Sequence, residues 1–250
     1  MFPDVARRCS PAALATVGNT DFAMDLLSTF VVVGFTLMIA AAALVWSLRR
    51  RAAFRSALAQ RGWQLSRHGQ TTTVVPTSGD WTVTLARSYA VQMSPPGSRV
   101  ITTVWGAPTP AVQAAALIAG PAPRPELRDL AAQLLGSATA AMTQLLGIDR
   151  VSGGRPLRAV SSVDERLLVF ATEGYDSAGY RWAGALTNVA DAVSSWCEVY
   201  PAEREQPVVS INDAGIGVRV RIDALRTIEQ LEAFVDLGIR CQAAIGRSRA

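Results

Sequence analysis

The sequence predicts an α+β fold, in which one N-terminal transmembrane helix is followed by two small units of antiparallel sheet and helix. Three observations lead there: an uncharged run at 26–48, helical stretches with one apolar face, and strand-like runs separated by hairpin turns on both sides of a Pro/Gly-rich stretch. The predicted organisation is a short extracytoplasmic N-terminus (1–25), a transmembrane helix (26–48), a basic juxtamembrane helix and β-meander (49–105), a Pro/Gly-rich connection (106–125) and an α+β domain (126–250).

The run at 26–48 has the length and composition of a membrane span. As a helix it would be about 34 Å long, against about 30 Å of bilayer hydrocarbon. Asp25 borders it on one side and three arginines border it on the other, with Trp46 near that end, where interfacial aromatic residues occur. A buried core helix is the alternative, but core helices seldom run this long without a polar face.

The flanking charges predict the orientation. Arg49, Arg50, Arg51 and Arg55 follow the run, whereas Asp21 lies close before it. The positive-inside rule then places the C-terminal part in the cytoplasm, as a single-pass protein of the plasma (inner) membrane. Two alternatives remain: a signal peptide cleaved near 40–43, which would have its charges on the wrong end, and an uncleaved anchor with an exported C-terminal domain.

The first unit after the span reads as a helix and a meander. Helical composition continues from Arg49 to Arg61, and Gly62 is a natural stop. Alternation predicts strands at 71–75 and 81–87 around a Thr-Ser-Gly-Asp hairpin turn, and β-branched residues predict a third strand at 99–105.

The second unit reads as helix, strand, helix, hairpin, helix. A helix is expected over 125–146, and the uncharged stretch 131–148 fits an amphipathic helix better than a second span. Strands are expected at 166–172, 207–211 and 216–222, and a final helix over 224–246. One-face stripes predict the buried residues of the last two helices: Trp182, Leu186, Val189, Val193 and Trp196, then Ile228, Leu231, Val235 and Ile239.

Charge is unevenly distributed along the chain. Residues 1–25 carry −1, 49–125 carry +8 and 126–250 carry −3, giving the net +4. Arg49, Arg50, Arg51 and Arg55 would lie close enough to the surface to attract anionic lipid head groups, although setting the topology explains them fully. The other arginines of the basic part are scattered without a recognition motif, so no nucleic acid is expected as a partner.

The composition excludes several kinds of chemistry. All 24 basic residues are arginine, so P-loop ATPase, pyridoxal Schiff-base and ordinary kinase sites are excluded. The single histidine, His68, lies in a polar loop or strand end and is expected to be solvated. Solvated turns are also expected for the carboxylate pairs Asp164-Glu165 and Glu203/Glu205. No catalytic residue, metal or cofactor is predicted, and Cys197 and Cys241 read as small core residues.

Three segments of the chain carry a family resemblance: the anchor with its Arg-rich continuation, the stretch from Ala59 to Trp63, and the strand from Asp164 to Phe170. Through them the chain resembles uncharacterised single-pass bacterial membrane proteins with a cytoplasmic domain of unknown function. That resemblance implies no known activity; the Ala/Arg-rich, Lys-free composition is typical of a high-GC bacterial genome. The sequence favours a membrane-anchored protein-interaction or scaffold module with an unidentified protein partner. The alternatives are a module that senses lipid head groups and a membrane-face hydrolase without a recognisable motif.

Overall fold

The computed structural model of this chain describes residues 18–89, 99–108, 117–123, 126, 157–160, 164–172 and 179–247. Its contacts divide into two units, Met1–Ala53 and Phe54–Ala250. Within these ranges there are three α-helices of several turns, α1 (Gly18–Gln60), α2 (Gly179–Val199) and α3 (Ile228–Arg247), and one turn of 3₁₀-helix at Glu203–Glu205. The strands are β1 (Trp63–His68), β2 (Thr71–Pro76), β3 (Thr82–Tyr89), β4 (Arg99–Ala107), β5 (Leu117–Pro121), β6 (Leu157–Val160), β7 (Leu167–Thr172), β8 (Val208–Asn212) and β9 (Gly215–Val220).

All nine of these strands belong to one sheet, in the order β1-β2-β3-β4-β9-β8-β5-β7-β6, and every neighbouring pair is antiparallel. The register aligns one apolar residue of each strand into a row across the whole sheet. In sheet order the row is Leu65, Val74, Val83, Trp105, Val218, Val209, Ala119, Val169 and Val160. The seven inner members are buried, whereas Leu65 and Val160 on the edge strands are half-buried. The row therefore marks the centre of the core.

Two helices cover the face on which this row lies. α2 and α3 pack against each other, α3 also contacts β4 and β9, and α2 contacts β5. Trp196 of α2 lies edge-on to Phe234 of α3, with ring centroids 5.8 Å apart, and its indole N–H donates to the Glu205 carbonyl over 2.7 Å. The last turns of α1 contribute Leu58, which is buried in the same core.

The α+β class and its antiparallel pairing are confirmed, but the two predicted units share one sheet. Strands from both join where β4 pairs with β9, for example Trp105 opposite Val218. The predicted connection at 106–125 also contains an inner strand, β5, because Leu117 and Ala119 face the core. Of the expected helix at 125–146 only Glu126, which is helical, lies within the described residues; the stretch 131–148 lies outside them.

Three smaller predictions need correction. α3 begins at Ile228 rather than near Ala224, because the Thr227 hydroxyl accepts a hydrogen bond from the Gln230 amide and so caps the helix. Ile239 is exposed rather than inward, while Phe234 and Cys241 are buried instead. The segment Trp63–His68, for which no strand was predicted, is a strand, and His68 lies at its end, one of the two positions expected for it. The stripe on α2 is confirmed for Leu186, Val189, Val193 and Trp196; the side chain of Trp182 lies outside the described residues.

Candidate functional site

The most unusual surface on the described residues belongs to α1. Its segment Phe30–Gln60 has a mean hydropathy of 2.3 in its most apolar window, none of which is buried, and it is the one described helix long and apolar enough to cross a membrane. Large apolar side chains are exposed along Phe30–Leu48, whereas elsewhere in the described chain only Val199 and Ile239 are both large, apolar and exposed. Apolar side chains exposed on all sides of a helix indicate a surface that water does not normally cover.

The polar groups inside this segment are few, and one of them is already satisfied. The hydroxyl of Thr36 donates to the carbonyl of Val32 one turn earlier, over 2.8 Å. A hydroxyl bonded back to its own helix avoids the desolvation cost that an unpaired polar group meets in hydrocarbon. The Thr36 hydroxyl is therefore compatible with a lipid environment.

An arginine ring follows the apolar segment; we use this name for Arg49, Arg50, Arg51 and Arg55. All four are exposed, and α1 continues through them to Gln60 without a break. At 100° per residue their side chains point to different sides of the helix rather than forming one basic face. The guanidinium of Arg50 lies 5.5 Å from the ring centroid of Trp46, within cation–π range. A cationic ring beside an aromatic residue is the pattern of a membrane–water boundary.

Two further arginines of the basic part are paired with acids from the C-terminal part. Arg61 bonds Glu232 of α3, and Arg87 bonds Asp223, with 2.8 Å between nitrogen and oxygen. These pairs lie within the sheet-and-helix unit and bring the basic first half of the chain into contact with its acidic second half. The excess of charge seen along the sequence is thus partly balanced in the fold.

The candidate catalytic side chains do not come together. The side chain of His68 is exposed at the end of β1 and makes no hydrogen bond or ion pair with another described residue. Asp164 instead bonds Arg166, which also reaches Asp191 on α2 over 2.8 Å. Because Arg166 donates to it, the pKa of the Asp164 carboxyl is below its usual range. Glu205 accepts a hydrogen bond from the backbone amide of Ala202. Within the described ranges no three His, Cys, Asp or Glu residues are grouped so that they could hold a metal ion.

The thiols are buried to different degrees. Cys241 is fully buried, and burial raises its pKa to about 12, so it stays protonated at neutral pH. Cys197 is half-buried on α2, and burial raises its pKa as well. Both therefore have the environment predicted for small core residues.

Sequence reasoning missed a groove on the sheet face opposite α2 and α3. It has a volume of about 410 Å³ and is lined by β3, β4, β8 and β9. Its floor includes two glycines directly opposite each other, Gly106 and Gly217, and the Ser210 hydroxyl donates to the Gly217 carbonyl there. Thr82 and Thr84 line one side and Ser210 the other. Single glycines in a strand suggest a close approach, but only the β4–β9 register shows that these two share a floor.

No protein-family model, no curated protein and no solved structure matches this chain. The features that point to a function are therefore the apolar surface of α1, the arginine ring and the sheet-and-helix unit.

Proposed function

We propose that this chain is a single-pass protein of the bacterial plasma (inner) membrane, in which α1 spans the bilayer and the unit Phe54–Ala250 is a cytoplasmic protein-interaction or scaffold module. The observation that carries the proposal is the continuous exposed apolar surface of Phe30–Leu48. Leaving that surface in water would be costly, since each Å² of apolar surface removed from water contributes about 25 cal/mol. A bilayer is the simplest environment that covers all sides of such a helix.

The orientation is supported by the arginine ring. The four cations lie within seven residues after Leu48, whereas the nearest charges before the span are Asp21 and Asp25. Moving those arginines across a membrane would be unfavourable, and the bias over short flanks decides the topology. The C-terminal unit is therefore cytoplasmic in this proposal.

A binding rather than catalytic role is supported by the arrangement of the candidate side chains. His68 is exposed without a described partner, and Asp164 is held by Arg166. The sheet, by contrast, presents an open groove with a glycine floor. A partner protein could approach the backbone closely at Gly106, where no side chain lies within 4 Å of an added Cβ. Beside it, the Ser210 hydroxyl bonds the Gly217 carbonyl and offers a polar contact.

The lipid-sensing alternative has less support from the charges. Arg61 and Arg87 are paired with Glu232 and Asp223 rather than left for head groups. The arginine ring points to several sides of its helix, which suits a boundary better than a one-sided lipid reader. Attraction to anionic lipid would then be limited to the four cations of the ring.

Topology reporters test the orientation. We expect a C-terminal fusion to alkaline phosphatase to be inactive and a C-terminal fluorescent-protein fusion to be bright, because the first needs export to fold and the second needs the cytoplasm. The same two fusions to a variant with Arg49, Arg50 and Arg51 replaced by Glu are the control, because loss of the positive bias should make the phosphatase partly active. An active phosphatase fusion at the C-terminus, with a dark fluorescent one, would overturn the cytoplasmic assignment.

The interaction role is tested separately at the groove. A photo-cross-linking amino acid replacing Thr84, which lines the groove, should give one discrete adduct in cells. The same amino acid replacing Glu198, exposed on α2, is the control. Equal adducts at both positions, or none at Thr84, would argue against binding at this face.

A further inference from the structure

The outer edge of β1 is an open hydrogen-bonding surface. β1 is the first strand in the sheet order and pairs with β2 alone among the described strands. Four of its six residues, Gln64, Ser66, Arg67 and His68, are exposed, and none of the other described strands lies beside this edge. Open edges in natural sheets are usually shortened, bulged, or protected by proline or charged side chains. β1 has no proline, and its arginine, Arg67, bonds the Gly69 carbonyl at the turn.

The β1–β2 turn determines which backbone groups point outward. His68 is opposite Thr71 across the two-residue turn Gly69-Gln70. In such a hairpin the closing pair exchanges both hydrogen bonds, and hydrogen-bonded and non-bonded pairs then alternate along the strands. Ser66 and Gln64 therefore also point their backbone groups toward β2. The N–H and C=O groups of Trp63, Leu65 and Arg67 point away from the sheet.

The side chains of the same residues leave the core incomplete at this edge. Leu65 is the β1 end of the apolar row, directly opposite the fully buried Val74, yet it is only half-buried. Trp63 lies edge-on to Trp81 at 5.3 Å and is also half-buried. A further strand beside β1 would cover both residues.

We propose that the added strand is β1 of a second copy of this chain, paired antiparallel so that Leu65 is opposite Leu65 of the second copy. In this register Trp63 is opposite Arg67, and each of the three outward-facing residues is matched by another. Of the two-fold symmetric registers, it is the one that uses all three, with six backbone hydrogen bonds. The Trp63–Arg67 pairs are also of a type that forms cation–π contacts. The result is a continuous sheet through two chains, and it does not depend on the membrane anchor.

Disulfide trapping of the full chain tests the register. In a background of Cys9→Ser, Cys197→Ser and Cys241→Ala, Leu65→Cys faces itself across a hydrogen-bonded pair, at a Cα separation of about 5.5 Å that a disulfide can bridge. We expect most of the chain to become a covalent dimer under mild oxidation. Ala159→Cys, exposed on β6 at the other edge of the sheet, is the matched control and should remain mostly monomeric. No dimer at position 65, or equal dimer at 65 and 159, would overturn the proposal.

A second variant tests the hydrogen bonds without removing the core side chain. Arg67→Pro deletes an outward N–H but no bond to β2, so the monomer should fold. The dimer loses two hydrogen bonds, which should raise its dissociation constant about 30-fold. Arg67→Ala keeps the N–H and is the control, since it removes the same guanidinium. Light scattering in detergent gives the mass, and thermal melting checks the fold. A dimer equally stable in Arg67→Pro and Arg67→Ala would contradict pairing through β1.

Discussion

Gly238 on α3 lies in very close contact with Trp105 on β4. A Cβ added at Gly238 would lie 2.2 Å from the indole of Trp105, a fully buried ring that cannot move aside without disturbing the core. The glycine therefore allows α3 to approach the sheet at the centre of the apolar row. The side-chain stripe of α3 could be read from the sequence, but this contact could not, because it depends on which strand lies beneath the helix.

Gly238→Ala should lower the free energy of unfolding by about 1–3 kcal/mol, the usual cost of overpacking a core. Gly184→Ala is the matched control, since Gly184 lies on α2 with no atom within 4 Å of its added Cβ. That control should gain about 0.5–1 kcal/mol from helix propensity. Chemical denaturation of both variants measures the difference. A neutral Gly238→Ala would show that α3 does not lie this close to Trp105.

Burial at Cys241 makes a second prediction at this scale. With its pKa raised to about 12, the thiol should resist alkylation at neutral pH in the folded chain and react on denaturation. A Cys9→Ser, Cys197→Ser background isolates it. The stabilising contribution of the raised pKa is fully present below about pH 9, where the thiol is protonated in the folded and the unfolded chain alike. It is lost as pH rises toward 12, because the unfolded chain then ionises this thiol more readily than the folded chain does. Cys241→Ala should therefore reduce the loss of stability over that range. Rapid alkylation of the native thiol would contradict its burial.

At the scale of elements, periodic apolar patterns correctly predicted strands and helix faces that are buried on one side. Alternation identified β3 and β9, and the stripe identified the buried face of α2, because burial on one face imposes these periods. β1 was missed because it is an edge strand with mostly exposed residues, and β5 because Gly120 and Pro121 break a short pattern. Ile239 has the spacing of the predicted apolar stripe of α3, but it is exposed because the buried side of this helix is the one that carries Phe234 and Cys241.

The interface of α2 with α3 depends on Trp196. Trp196→Ala should cost about 3–5 kcal/mol, because it removes a buried ring that contacts Phe234 and Tyr200. Trp196→Phe keeps most of the contact but removes the donor to the Glu205 carbonyl, and should cost about 1 kcal/mol. Denaturation curves separate the two. A loss below about 1 kcal/mol for Trp196→Ala would refute the face assigned to α2.

The arginine ring predicts a change in topology. Replacing Arg49, Arg50 and Arg51 with Glu should give mixed orientation in the reporter assay, since these residues carry most of the positive bias. Arg221→Glu is the control, because Arg221 is exposed and lies far along the chain from the span, outside the flank that sets the topology. An unchanged orientation in the triple variant would show that another feature sets the topology.

At the scale of the whole molecule, the sequence suggested two sheets where the structure has one. Nothing local shows that β4 pairs with β9, since the two strands are more than a hundred residues apart and both alternate in the same way. The basic composition of 49–125 and the acidic composition of 126–250 also suggested two separate units. Arg61 and Arg87 of the basic part reach acids of the second part, so charge along the chain does not correspond to separate domains.

The candidate site divides in the same way. The arginine ring and the apolar segment could be predicted, because membrane insertion acts on a contiguous stretch of sequence. The groove and the open edge of β1 could not, because they arise from strands brought together by the register. Predicting the groove would require knowing that Gly106 lies opposite Gly217. Predicting the open edge would require knowing that β1 pairs with only one other described strand.

Extraction of membranes with alkaline carbonate, without detergent, tests the central claim that α1 spans a bilayer. The full-length chain should remain entirely in the membrane pellet. In the control, Val33→Asp and Leu37→Asp place two charges one turn apart near the middle of the apolar segment, each costing about 2.5–3.5 kcal/mol there, and the chain should become extractable. Release of the unmodified chain into the carbonate supernatant would contradict the account.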